Sequence, residues 1–130
     1  MDVLILAAGL GTRMGDLTKD LPKPLLPVKG KPLIDYALNL IEPLQTKNIF
    51  VNTHYHADLI QSHISNNYEN IKISFEPEIL GTGGGIKKIH QNDLLVLNTD
   101  NLWQQNFSQE IKKAREFFQN NQHIDQDNLI

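Results

Sequence analysis

The chain has 130 residues, with 12 Lys and Arg against 15 Asp and Glu and a net charge of −3. That length suits one small domain, taken as residues 1–130, with a modest core. The acidic balance, without any clustered basic run, excludes a surface that tracks a nucleic-acid backbone. Cysteine is absent, which removes disulfides and thiolate metal sites. No apolar run reaches membrane length and no leader pattern opens the chain, so the expected location is the cytoplasm.

Met1 to Ala8 is a short continuous apolar run that stops at glycine, the pattern of a buried parallel strand. Residues 9–31 read as one long functional loop, with a helical turn near Thr12. Pro32 suits the first turn of a helix, in which Leu33, Ala37, Leu40, Ile41 and Leu44 recur at helical spacing and which Pro43 helps to end. Asn48 to Thr53 is a second strand, followed by a helix from Ala57 to His63 or Ile64 with Leu59, Ile60 and Ile64 inward. Ile71 to Phe75 alternates as a strand does, and Thr82 to His90 reads as a short helix after a glycine-rich entry. Asp93 to Asn98 is a further apolar strand running on to Asp100. Ser108 caps a helix from Gln109 to about Asn120, and residues 128–130 look like the start of another strand.

Strands alternating with helices predict an α/β fold, a doubly wound and mostly parallel sheet with right-handed crossovers. Ligands bind such sheets outside the carboxyl ends of the strands. The loop at Gly9, the segment Glu76 to Gly85, and Asp100 all fall at such ends. The stretch Leu6-Ala7-Ala8-Gly9-Leu10-Gly11-Thr12-Arg13-Met14 runs from a strand into a Gly-rich turn that closes on arginine. Gly9 and Gly11 allow unusual dihedrals and close backbone approach to an anion. Arg13 adds a planar charged fork matched to phosphate, and Pro22 and Pro24 frame Lys23 so that its ammonium is placed at low entropic cost. A dinucleotide fingerprint would need glycine at Met14 and an acid at the end of the second strand, where Asn52-Thr53 stands. A Walker loop would need Gly-Lys-Ser/Thr where Gly11-Thr12-Arg13 stands. The pattern points to a small polyanionic ligand such as a nucleoside triphosphate.

The run Gly9-x-Gly11-Thr12-Arg13-Met14, then Pro22-Lys23-Pro24-Leu25-Leu26-Pro27-Val28 with Gly30-Lys31-Pro32, resembles the signature of the sugar-1-phosphate nucleotidyltransferases. Leu80-Gly81-Thr82-Gly83-Gly84-Gly85-Ile86 and Leu97-Asn98-Thr99-Asp100-Asn101-Leu102-Trp103 also fit. Their pairing is most similar to the N-acetylmuramate-1-phosphate uridylyltransferase branch, with mannose-1-phosphate guanylyltransferases as near relatives. The resemblance implies a Rossmann-like nucleotidyltransferase fold, represented here by its nucleotide-binding half, because such enzymes typically exceed 200 residues by a clear margin. It implies transfer of a nucleoside monophosphate, UMP above others, from a triphosphate to a sugar 1-phosphate with release of pyrophosphate. Leu6, Ala7, Ala8, Gly9, Gly81, Thr82 and Gly83 would hold base and ribose, and Gly11, Thr12, Arg13 and Lys23 the phosphates. Arg13 would stabilise the leaving pyrophosphate, Lys23 would bridge the α-phosphate and the sugar phosphate, and Asp100 would ligate Mg²⁺.

His54, His56 and His63 lack metal-ligand spacing and are taken as structural, and Trp103 as a core residue. Two departures from the family pattern stand out: Asp16 where relatives often have proline, and Thr99 in place of the glycine of a Gly-Asp pair. Two rival readings accompany the enzyme. One is a truncated, non-catalytic remnant that binds nucleotide only. The other is one half of a split enzyme, completed by a separately encoded chain or by a homodimer across an open sheet edge. Neither nucleic acid nor membrane is an expected partner.

Overall fold

A computed structural model of the chain describes residues 2–9, 18–44, 46–89 and 94–99, together with 109, 112 and 113. Its centre is a four-stranded sheet built from β1 (Asp2–Leu6), β4 (Ile49–Thr53), β5 (Ile71–Phe75) and β6 (Leu94–Asn98), in the order β5-β4-β1-β6. Every pairing in it is parallel. The fold is therefore the expected α/β sheet. β1 is interior, and Val3, Leu4 and Ile5 are wholly buried, so an uninterrupted apolar run replaces the alternation of a one-sided strand.

Helix α1 (Leu33–Ile41) connects β1 to β4, and α2 (Ala57–Asn67) connects β4 to β5. Their inward residues Ile34, Ala37, Leu38, Ile41, Ile60 and Ile64 form one core with Val3, Ile5 and Val51. Burying a side chain such as Ile34 or Ile60 stabilises the chain by about 1.5–3 kcal/mol. The third helix, α3 (Gly81–Ile89), carries the chain from β5 past β4 and β1 to β6. Strand order thus reverses at β1, and the crevice that opens at such a reversal lies at the carboxyl ends of β1 and its neighbours.

Several boundaries differ from the sequence expectation. The stretch read as one loop over 9–31 contains a 3-10 turn at Lys23–Leu25 and most of a hairpin, β2 (Pro27–Val28) with β3 (Lys31–Pro32). Lys29 (φ 54°) and Gly30 (φ 77°) both take the left-handed conformation that a two-residue hairpin turn demands. The Tyr36 hydroxyl donates to the Val28 carbonyl at 2.6 Å and fastens the hairpin to α1. Pro32 closes the hairpin and serves as the N-cap of α1 instead of standing inside its first turn. The tail of that helix tightens into a 3-10 turn at Glu42–Leu44, which contains Pro43. α2 runs on to Asn67, beyond the predicted His63 or Ile64, because His63 finds a partner on α1 and keeps the last turn packed. α3 begins at Gly81, one residue earlier than predicted, and takes Gly83, Gly84 and Gly85 into its first turns.

Candidate functional site

Parallel register aligns four residues across the carboxyl edge of the sheet: Ser74 beside Asn52, Asn52 beside Leu6, and Leu6 beside Asn98. Above this row lies a cleft of about 240 Å³ lined by Leu6, Ala8, Gly9, Asn52, Glu76, Ile79, Gly81 and Asn98. It sits where the strand order reverses. Leu6, Ala8, Gly9 and Gly81 were assigned to base and ribose on the family resemblance, and all four line the cleft.

A hydrogen-bonded chain spans its floor. The Ala7 amide donates to Asn52 Oδ1 at 2.6 Å, which leaves Asn52 Nδ2 to donate to Glu76 Oε2 at 3.2 Å. The other oxygen of Glu76, Oε1, accepts the Leu80 amide at 3.2 Å. Glu76 is fully buried and Asn52 is 3% exposed, so each bond replaces water that neither group can reach. The Ala7 amide is thus engaged within the protein, and Ala7 is not among the residues that line the cleft. Neither Asn52 nor Glu76 was singled out from the sequence. The available signal was a polar residue at the end of an apolar strand, namely Asn52 in β4 and the acid directly after β5.

Gly9 takes no left-handed dihedral, and open space surrounds the position of an added Cβ. Of the two properties expected of this glycine, unusual dihedrals and close backbone approach, only the space for approach is seen among the described residues. Gly81, at φ +73°, does require glycine, and there the backbone turns into α3. The amino terminus of that helix faces the cleft at Gly81, so its free amides and dipole favour an anion. The Thr82 side chain is outside the described residues, and Gly83 is exposed on the first turn, beyond the lining set.

Lys23 opens the 3-10 turn that Pro22 precedes and Pro24 continues. Pro22 and Pro24 are buried, and the Leu25 amide donates to the Pro22 carbonyl at 2.9 Å, so the frame of the lysine is rigid. Lys23 lies outside the set that lines the cleft. Gly11, Thr12, Arg13, Asp16, Asp100 and Trp103, and the helix expected after Ser108 except at 109, 112 and 113, fall outside the described residues. Thr99, the departure from the family pattern, donates its hydroxyl to the Leu6 carbonyl at 3.2 Å and ties the end of β6 to that of β1.

Residues 2–124 match the nucleotidyl transferase family model. The chain belongs to that family. It is 41% identical over 110 residues to N-acetylmuramate alpha-1-phosphate uridylyltransferase of Caulobacter vibrioides, covering 77% of this chain and 46% of that protein. It is 36% identical over 105 residues to D-glycero-alpha-D-manno-heptose 1-phosphate guanylyltransferase of Campylobacter jejuni, covering 77% and 48%. Among solved structures it is similar to HddC from Yersinia pseudotuberculosis complexed with GMP-PN, with a TM-score of 0.70 and 31% identity over 87% of this chain and 53% of that one. The chain spans about half the length of these relatives. Homologues of this family are sugar-1-phosphate nucleotidyltransferases, and the nucleotide differs among them.

Among the described residues no group of three or more His, Asp or Glu is arranged to hold a metal. No helix among them is long and apolar enough to cross a membrane.

Proposed function

We propose that this chain is the nucleotide-binding half of an enzyme that transfers UMP from UTP to a sugar 1-phosphate and releases pyrophosphate. The observation that carries this is the cleft at the strand-order reversal. There Leu6, Ala8 and Gly9 and the amino terminus of α3 offer flat backbone for a base and oriented amides for an anion. UMP is preferred over other nucleotides on the likeness to the uridylyltransferase of Caulobacter vibrioides.

In this reaction an oxygen of the sugar phosphate attacks the α-phosphorus in line, and the bond from that phosphorus to the bridging oxygen of pyrophosphate breaks. Little covalent work falls to the protein, so rate comes from positioning and from cations where charge builds. Lys23, on its proline frame, holds the α-phosphate against the sugar phosphate, and Arg13 takes the charge of the departing pyrophosphate. Asp100 follows directly on Thr99, and Thr99 is bonded to the end of β1 beside the cleft. Mg²⁺ prefers carboxylate oxygens, so Asp100 would hold that ion. When bound, Mg²⁺ neutralises phosphate charge. Binding without turnover is the second reading, favoured by Lys23 lying outside the set of residues that line the cleft.

The test is thermal unfolding of the chain with and without Mg²⁺ and UTP, GTP or dTTP, followed by a pyrophosphate-release assay. A nucleotide at about 100 times its dissociation constant adds roughly 2.7 kcal/mol to the folded state. UTP should raise the transition most. Lys23→Ala should unfold cooperatively, bind the triphosphate more weakly and release no pyrophosphate. A transition that no nucleotide moves would overturn the proposal, and a shift without pyrophosphate release would favour the binding-only reading.

A further inference from the structure

The segment between β4 and α2, His54-Tyr55-His56, turns every one of its side chains onto a backbone carbonyl. The Tyr55 hydroxyl donates to the Thr18 carbonyl at 2.8 Å and also approaches that of Lys19 at 3.2 Å. His56 Nε2 donates to the same Lys19 carbonyl at 3.2 Å. Since a carbonyl only accepts, His56 carries a proton on Nε2. His54 Nδ1 donates to the Glu76 carbonyl at 2.6 Å. The Tyr55 and His56 rings pack with centroids 4.3 Å apart, so each limits the freedom of the other.

His56 is the N-cap of α2, yet its side chain makes no capping bond. Its backbone sits at φ 50°, ψ 44°, a left-handed conformation disfavoured for a residue with a Cβ. Ser, Asn or Asp would cap the helix better, and Asn would tolerate the dihedral better. Such strain persists where surrounding bonds require it. Here it aims the imidazole at Lys19 and away from the helix end.

Thr18 and Lys19 follow directly on residues 10–17, and Ala7 lies just before them. The Ala7 amide is held by Asn52, at the end of the same strand from which Tyr55 and His56 depart. One five-residue stretch, Asn52 to His56, thus grips the chain on both sides of the Gly-rich loop. It also grips Glu76 twice, through Asn52 and His54.

We infer that Asn52–His56 is a clamp that sets Ala7 relative to Thr18 and Lys19, on either side of the Gly-rich stretch, with Tyr55 and His56 as positioning residues for the triphosphate. The inference rests on the nucleotide-binding reading above. Tyr55 and His56 touch no reacting atom. They fix the backbone at Thr18 and Lys19, and so act on the phosphates and leave the base alone.

The experiment is calorimetric titration, with Mg²⁺, of UTP and GTP and of the matching nucleosides uridine and guanosine. The proteins are the wild-type chain, Tyr55→Phe, His56→Ala and His56→Gln, each checked for cooperative unfolding. Tyr55→Phe and His56→Ala should each weaken the triphosphate about 5- to 10-fold, the scale of one lost hydrogen bond, and leave the nucleoside within about twofold. His56→Gln, whose amide can donate to the Lys19 carbonyl, should recover most of the loss. If triphosphate and nucleoside affinities stay unchanged or fall together, the clamp inference is overturned and the nucleotide-binding reading stands. If the wild-type chain binds neither triphosphate, that reading itself fails, whatever the variants do. Should Tyr55→Phe not fold, the two His56 variants decide the question.

Discussion

Asn52 is the residue on which the cleft floor depends, because its two amide ends answer opposite needs. Its oxygen satisfies the Ala7 amide and its nitrogen satisfies Glu76, both in places that water does not reach. Asn52→Ala leaves a buried donor and a buried carboxylate oxygen short of partners. At roughly 1–3 kcal/mol for each unsatisfied group, the variant should lose about 2–6 kcal/mol in urea denaturation. Glu76→Gln keeps one acceptor oxygen and should cost less than Asn52→Ala. An equal or smaller loss for Asn52→Ala would mean that the chain across the floor does not act as a unit. Lys23 shows the other kind of residue, legible from the sequence because prolines on either side govern its backbone locally. Asn52 and Glu76 were not legible, since they meet only when β4 and β5 pair in register.

At the scale of the element, α3 is the anomaly. It is a nine-residue helix whose sequence opens Gly-Thr-Gly-Gly-Gly, where each interior glycine costs about 1 kcal/mol against alanine. Packing accounts for part of the pattern. A Cβ on Gly85 would stand 3.0 Å from Asn52 Nδ2 and 3.2 Å from Glu76 Oε2, within the bonded pair at the cleft floor. A Cβ on Gly83 would meet nothing within 4 Å among the described residues. The two alanine variants should therefore diverge. Gly83→Ala should raise stability by about 0.5–1 kcal/mol through helix propensity and a less flexible unfolded chain. Gly85→Ala should show no such gain and should lower stability, because it pushes on Asn52 and Glu76. Urea denaturation of the pair reads the difference directly, and a gain at both positions would contradict the packing account. The existence of α3 was legible as a short helix after a glycine-rich entry. Its start at Gly81 was not, because the left-handed φ of +73° that favours glycine there cannot be told apart within a run of glycines.

At the scale of the molecule, α1 and α2 are joined through one carboxylate. Asp35 Oδ1 accepts from His63 Nε2 at 2.8 Å and from the Tyr68 hydroxyl at 2.7 Å. Burial, then the hydrogen bond to Asp35, then the charges of Asp35 and Glu42 push the Tyr68 phenol above its ordinary value of 10.0. Below that pH the stabilisation is fully present. Above it the unfolded phenol releases its proton while the folded one keeps it. The native state then binds more protons, and stability falls as pH rises, by at most about 1.4 kcal/mol per pH unit and less where solvent screens the ring. Tyr68→Phe should be less stable at neutral pH and should show a shallower decline between about pH 9 and 11. Parallel slopes for the two proteins would remove Tyr68 from the account. The sequence by itself determined the alternation of strands and helices, the Gly-rich loop after β1, the rigid setting of Lys23 and the family. Each of these rests on residues that act within a few positions of one another. The tertiary structure alone decided the cleft floor of Asn52 and Glu76, the bonds from Tyr55 and His56 to the loop's far end, and the joint at Asp35. Those contacts link residues 24 to 45 positions apart, and which atoms meet is set by strand register and helix packing, which no local pattern encodes.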